Sequence, residues 1–141
     1  MAWKSPDVRW GYRSADLGGH VVAWVELDLS HGRVNDLRAR ARDLMLRKAK
    51  TQPLADASAG CIFKNPPGDS AARLIDTLGL KGLVRGGAKV SERHANFIVN
   101  ATGKARAADV VALLEEVRGR VAGAFGISLE TEIVLPGVSR C

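Results

Sequence analysis

The sequence predicts a small α+β domain in two layers, with helices packed on one side of a mixed sheet and one further strand and helix ahead of it. Three observations carry that expectation. The apolar triplets Cys61-Ile62-Phe63 and Phe97-Ile98-Val99 are short, and Asn, Pro or Gly lies close to each, as suits buried strands. Two longer stretches, near 69–78 and 107–124, carry apolar residues at helical spacing. From position 61 onward the order is strand, helix, strand or loop, strand, helix, strand. Each helix has a single apolar stripe, so one face of the assembly is expected to stay wet.

The first strand is expected at 21–29. Val21, Ala23, Val25, Leu27 and Leu29 alternate with Val22, Trp24, Glu26 and Asp28, between Gly18-Gly19 and Ser30-His31-Gly32. A helix follows at about 34–50, with Val34, Leu37, Ala41, Leu44 and Lys48 on one stripe; Pro53 forbids much continuation. The small and polar segment 52–60 reads as a loop and as the best candidate for a boundary between two structural parts. After Asn65-Pro66-Pro67-Gly68 a helix starts near Asp69, with Ala72, Leu74, Ile75 and Leu78 as its apolar side and Gly79 at its exit. The segment 80–87 is punctuated by glycine. The last helix, 107–124, has the stripe Val110, Val111, Leu114, Val117 and Val121, and ends at Gly126. The last strand, 128–135, puts Leu129, Thr131 and Ile133 on one face and Glu130, Glu132 and Val134 on the other, and stops at Pro136-Gly137.

At 141 residues and 46% hydrophobic, the chain is long and apolar enough to bury a core. No apolar run approaches a membrane span, and the first residues have no apolar signal region, so a cytoplasmic protein with no membrane partner is expected. The net charge of +6 raises nucleic acid as a partner, but the excess collects at Arg38, Arg40, Arg42, Arg47, Lys48 and Lys50 with no interleaved aromatics. A solvated helix face, or a surface for phosphorylated small molecules, explains it as well, and no nucleic-acid partner is expected. The two cysteines, Cys61 and Cys141, are not expected to pair, since one ends the chain. His20, His31 and His94 are scattered, so no metal is expected.

Neither a Walker loop nor a dinucleotide-binding glycine fingerprint is present. What remains is a few polar residues set beside apolar ones. Cys61 follows Ala59-Gly60, small neighbours that let a bulky ligand approach, and a thiol with a pKa near about 8.5 can hand over a proton. Without further context its ordinary reading is a small buried hydrophobe. Lys64 and Asn65 sit between an apolar pair and two prolines, either as positioned hydrogen-bond donors or as ordinary turn chemistry. Glu132 lies mid-strand, either a part-buried carboxylate fit to act as an acid or an exposed edge charge beside Glu130.

Taken in order, the segments resemble one family. Ser58-Ala59-Gly60-Cys61-Ile62-Phe63-Lys64-Asn65-Pro66 resembles S-A-G-S-x-F-K-N-P. Leu80-Lys81-Gly82 and Gly86-Gly87-Ala88-Lys89-Val90-Ser91 resemble G-L-K-G…G-G-A-x-V-S, and His94 through Asn100 reads H-A-N-F-I-V-N. Phe125-Gly126-Ile127 and Leu129-Glu130-Thr131-Glu132-Ile133 resemble F-G-V-x-L-E-P-E-V. Upstream, Gly11-Tyr12-Arg13-Ser14 is similar to G-Y-R-x-S, and Arg47 through Gln52-Pro53-Leu54 to R-x-x-x-Q-P-L. These are motifs of the flavin-dependent UDP-N-acetylenolpyruvoylglucosamine reductases of cell-wall synthesis.

The resemblance implies a division into 1–53, the tail of an FAD-binding domain with a connecting helix, and 54–141, the C-terminal substrate-binding domain. It implies a reaction in which NADPH reduces FAD and the flavin delivers a hydride to the enolpyruvyl group of UDP-N-acetylglucosamine enolpyruvate. By position, Cys61 takes the place of the family's proton-donating serine, and Glu132 that of the glutamate that steadies the enol-like intermediate. Lys64, Asn65, Gln52 and Arg13 fall to substrate binding. A thiol is a stronger acid than an alcohol and only somewhat larger, so the exchange of Ser for Cys is chemically tolerable. The family's FAD pyrophosphate loops lie N-terminal to the matched stretch. An enzyme fragment, inactive alone and needing a separate FAD-binding chain, is therefore expected, with a non-catalytic UDP-sugar-binding remnant as the alternative. Strand 21–29 would then have an unpaired apolar face.

Overall fold

The computed structural model describes residues 4–135, so Pro136-Gly137 and Cys141 lie outside the described residues. The chain divides into two compact units, Met1–Ala39 and Arg40–Cys141.

The first unit holds a short 3-10 turn at Ser5–Asp7 and a hairpin of β1 (Arg9–Gly11) and β2 (Ser14–Asp16). Trp10 pairs with Ala15, and Arg9 bridges to Asp16 across the open end. Trp10 Nε1 donates to the Ser5 carbonyl at 3.0 Å, which pins the 3-10 turn to the hairpin. At the tip, Arg13 adopts a left-handed φ of 56°. Neither strand was expected from the sequence, because three-residue strands leave no periodicity to read. The strand expected at 21–29 does not form. This stretch belongs to no strand among the described residues, and Val21, Val25, Leu27 and Leu29 are exposed. Alternation specifies what a strand would bury, but a ladder also needs a neighbour to exchange N–H and C=O bonds with.

Helix α1 (Val34–Thr51) forms where its spacing predicts. No residue of it is buried, and its stripe residues Val34, Leu37 and Leu44 are each more than half exposed.

The second unit carries the core. A four-stranded sheet runs in the order β3-β6-β5-β4, with β3 (Ser58–Cys61), β4 (Val84–Arg85), β5 (Ala88–Val90) and β6 (Phe97–Asn100). Its pairings are antiparallel throughout, where the sequence led us to expect a mixed sheet. The cause is local: β4 and β5 are joined by the two residues Gly86-Gly87, and β5 and β6 by a short loop, connections that only antiparallel neighbours permit. Gly86 takes φ +54°, and a Cβ there would sit 2.4 Å from Asp109 Cγ. A Cβ on Gly87 would meet the Ala105 backbone at 2.6 Å.

Helix α3 (Ala107–Phe125) packs on β4 and β5 and touches α2 (Ala71–Thr77). Leu113, Leu114, Val117 and Val121 are its buried residues, so Leu113 does the work expected of the half-buried Val110 and Val111. It ends at Gly126 with φ 69°, and α2 exits through Gly79 with φ 65°, both as expected. With Ile62, Phe63, Leu74, Ile75, Val90, Ile98 and Leu129 these residues form one cluster. Phe97 and Val99, on the opposite face of β6 from Ile98, are buried too, so the sheet's second face is not wet at its interior strand. The expected last strand shrinks to a single antiparallel bridge, Phe63 to Thr131.

Candidate functional site

The backbone from Ser58 to Asn65 is the frame of the candidate site. It begins as β3, paired to β6 at Ser58–Val99 and again at Cys61–Phe97. Between these pairs two residues, Ala59 and Gly60, oppose the single Ile98, a bulge, and Gly60 sits in it at φ +88°. That conformation explains why the glycine immediately before Cys61 is needed. Beyond the bulge the chain continues between two neighbours. On one side Ile62 N donates to Asn96 O at 2.9 Å. On the other, Glu132 N donates to Ile62 O and Lys64 N to Glu130 O, both at 2.8 Å.

The structure therefore sets the segment bearing Cys61, Lys64 and Asn65 beside the one bearing Glu132. Strict alternation from the Phe63–Thr131 bridge would give Glu132 the face of Ile62 rather than that of Cys61. Alternation is not strict here, since the N–H of Ile62 goes to Asn96 and its C=O to Glu132 on the other side, whereas a regular strand residue turns both groups to one neighbour. Cys61 and Glu132 are each half-buried.

Lys64 ion-pairs with Glu130 across the ladder at 2.5 Å. Asn65 Oδ1 accepts from Ala71 N at 3.1 Å, satisfying one of the N–H groups left open at the start of α2. Gln52, half-buried, follows α1 in the same unit. Arg13 belongs to the hairpin of the first unit.

Sequence reading missed a cleft of about 500 Å³ in the second unit, with Lys50, Arg73, Lys81, Arg93, His94 and one acid, Asp76, among its lining. The cations come from the end of α1, from α2 and from two loops. Arg93 Nη1 donates to the Ala49 carbonyl at 2.7 Å, and Lys81 Nζ to Asp76 at 2.8 Å. Arg73 holds Asp69, and this hydrogen bond, with that from Ser70 N, keeps the Asp69 carboxyl below its ordinary range. Burial, then the charge of Lys81, pushes the His94 pKa below its ordinary value. Asn96 N donates to His94 Nδ1 at 3.3 Å, and the ring meets Phe97 edge-on at 4.7 Å. An anion is the ligand such a lining favours. Part of this lining falls within the resembling motifs, with Lys81 in the Leu80-Lys81-Gly82 run and His94 opening the stretch to Asn100. Among the described residues no group of three or more His, Cys, Asp or Glu could hold a metal ion, and no helix is long and apolar enough to cross a membrane.

An α+β unit of this build, with these segments side by side, has its counterpart in a reductase of known structure. A crystal structure of the UDP-N-acetylenolpyruvylglucosamine reductase from Thermus caldophilus superposes with a TM-score of 0.76 at 41% identity, over 90% of this chain and 45% of that one. The chain belongs to that family: the family model described as "UDP-N-acetylenolpyruvoylglucosamine reductase, C-terminal domain" matches residues 52–136. The protein named UDP-N-acetylenolpyruvoylglucosamine reductase in Alkalilimnicola ehrlichii is 50% identical over 133 residues, 93% of this chain and 44% of its own length. That of Methylococcus capsulatus is 45% identical over 139 residues, 96% of this chain and 45% of its own. The chain thus spans less than half the length of these relatives.

Proposed function

We propose that this chain is the substrate-handling part of an FAD- and NADPH-dependent reductase that converts UDP-N-acetylglucosamine enolpyruvate to UDP-N-acetylmuramate. Cys61 serves as the proton donor and Glu132 steadies the enol-like intermediate. The observation that carries the reading is the bond from Glu132 N to Ile62 O, which ties the glutamate's segment to the residue next to Cys61. Once the substrate's double bond accepts a hydride, the neighbouring carbon needs one proton, and the Cys61 thiol supplies it. Lys64, Asn65, Gln52 and Arg13 hold the substrate. The cationic cleft around Lys81 and Arg93 suits its diphosphate.

Reduced FAD supplies the hydride in this reading, but neither glycine pair of this chain is built to cradle its pyrophosphate. Gly86-Gly87 is a strand-to-strand turn packed against Asp109 and Ala105, and no helix opens at Gly18-Gly19. Neither pair is the strand-to-helix turn that cradles a dinucleotide. In this reading the flavin is held by residues outside this stretch of sequence.

The test is complementation. The chain is mixed with the flavin-binding half of a relative, and NADPH oxidation is followed with the enolpyruvyl substrate. Activity above that of either part is expected, with Cys61→Ser retaining much of it and Cys61→Ala and Glu132→Gln losing substrate turnover far more than flavin reduction. No gain on mixing, together with calorimetric binding of the UDP-sugar by the chain alone, would leave a non-catalytic binding module instead.

A further inference from the structure

We infer that Asn96 is a positioning residue for the proposed chemistry: its buried carboxamide stands in for a missing strand neighbour and fixes the segment that carries Cys61 against the segment that carries Glu132. This rests on the reductase reading for its functional meaning, but not for its geometry.

Phe63 and Thr131 face each other as a pair without mutual hydrogen bonds, because the bonds of that bridge run from Glu132 N to Ile62 O and from Lys64 N to Glu130 O. The N–H and C=O of Phe63 consequently turn toward the opposite side. β6 does not reach that far: it begins at Phe97, paired with Cys61. Phe63 is 2% exposed, so water cannot serve its backbone either. The Asn96 side chain serves both groups. Its Oδ1 accepts from Phe63 N at 3.0 Å, and its Nδ2 donates to Phe63 O at 2.7 Å. Its own carbonyl accepts from Ile62 N.

A carboxamide is the one short side-chain group that offers a donor and an acceptor in one plane, as a peptide does. Asn96 itself is 3% exposed and held on both flanks, with its N–H donating to His94 Nδ1 and Ala95 and Phe97 buried beside it. The segment 62–64 is therefore gripped by three bonds to Asn96 and two to residues 130 and 132. Loosening the first set frees the register of the second, and with it the approach of the two proposed reacting residues.

The experiment uses the full chain in a Cys141→Ser background, so that Cys61 is the only thiol. Alkylation of Cys61 by iodoacetamide is followed from pH 6 to 9, and amide exchange is read by NMR. Asn96→Ala and Asn96→Asp are compared with Val121→Ala, which weakens the core without touching this segment. The aspartate keeps the acceptor but sets a carboxylate against Phe63 O. In both Asn96 variants the Cys61 rate should change by on the order of 10-fold, and the Lys64 and Glu132 amides should lose protection to a similar extent relative to those of α3, as expected for a buried backbone group left unpaired. Val121→Ala should leave the Cys61 profile within about twofold. In wild type, one Asn96 Nδ2 proton should exchange as slowly as the Phe63 amide. A Cys61 rate in the Asn96 variants equal to that of Val121→Ala overturns the inference, as does a fast-exchanging Nδ2 pair in wild type should the variants not fold. In the complemented enzyme Asn96→Asp should lower kcat with KM nearly unchanged. Wild type that fails to complement tells against the reductase reading, while the thiol and exchange results still decide the role of Asn96.

Discussion

Alanine at Gly87 should destabilise the second unit more than alanine at Gly103, although only Gly103 has a left-handed backbone. Gly103 has φ +72° and nothing within 4 Å of an added Cβ, so its substitution meets backbone strain alone, about 1–2 kcal/mol. At Gly87 the added carbon meets Ala105 Cα and N at 2.6 Å and Thr102 Oγ1 at 2.7 Å. Two of these atoms are backbone at the entrance to α3 and cannot swing aside. The β4–β5 turn must lift away from α3, or the helix entrance must shift. Overpacking of this kind costs about 1–3 kcal/mol, and here the turn also loses the bond from Gly87 N to Asp109 Oδ2 at 3.3 Å, roughly 1 kcal/mol more. A total of roughly 2–4 kcal/mol lowers Tm by about 10–25 °C in a domain of this size. Circular dichroism at 222 nm, which follows α3, reads the transition. A Gly87→Ala midpoint at or above that of Gly103→Ala would refute the claim that close approach, not conformational freedom, fixes this glycine.

Other outcomes follow from the same structure. Leu114→Ala, at 0% exposure, should cost about 2–5 kcal/mol, whereas Leu44→Ala on the exposed stripe of α1 should stay within about 0.5 kcal/mol in chemical denaturation of the chain alone. Because burial favours neutral His94 in the folded state, the unfolded chain takes up that proton first as pH falls below about 6.5. Stability should decline between pH 7 and 5, and His94→Gln should flatten that part of the Tm profile. Asp109, held below the ordinary carboxylate range by the N–H groups of Arg106 and Gly87, contributes stability above about pH 4 that is lost as pH falls toward its folded value. Asp109→Ala should remove part of the acid sensitivity in urea titrations. Inorganic pyrophosphate should bind the cleft with an affinity that falls with salt, and Lys81→Met with Arg93→Met should weaken it at least about 10-fold in calorimetry.

The helices were legible because apolar spacing and glycine stops agree. Val117 and Val121 face the core, Gly79 and Gly126 end their helices, and Phe97-Ile98-Val99 forms a buried strand. The β4–β5 hairpin was not legible, since Val84-Arg85 and Ala88-Lys89-Val90 are too short for any period to show. At 21–29 the period is plain, yet no strand forms. The motif residues Cys61, Lys64, Asn65 and Glu132 were found through their resemblance to a family, and their chemistry alone left each with an ordinary alternative. The Lys64–Glu130 pair and the Asn65 bond to α2 could not be foreseen, because both depend on which segments become neighbours. The cationic cleft was invisible for the same reason: Lys50, Arg73, Lys81 and Arg93 are scattered in sequence and meet only in the fold.

The exposed aromatics of the first unit have a spectroscopic consequence. Every tryptophan of the chain, and its one tyrosine, precedes position 25, and Trp10 and Trp24 are about two-thirds open to solvent. Emission excited at 295 nm therefore reports on the first unit alone and should be red-shifted already in the native state. The second unit, with phenylalanine as its only aromatic, is dark at that wavelength. If a flavin-bearing protein covers the early segment, a blue shift and energy transfer to the isoalloxazine ring should register the docking optically, with no label attached.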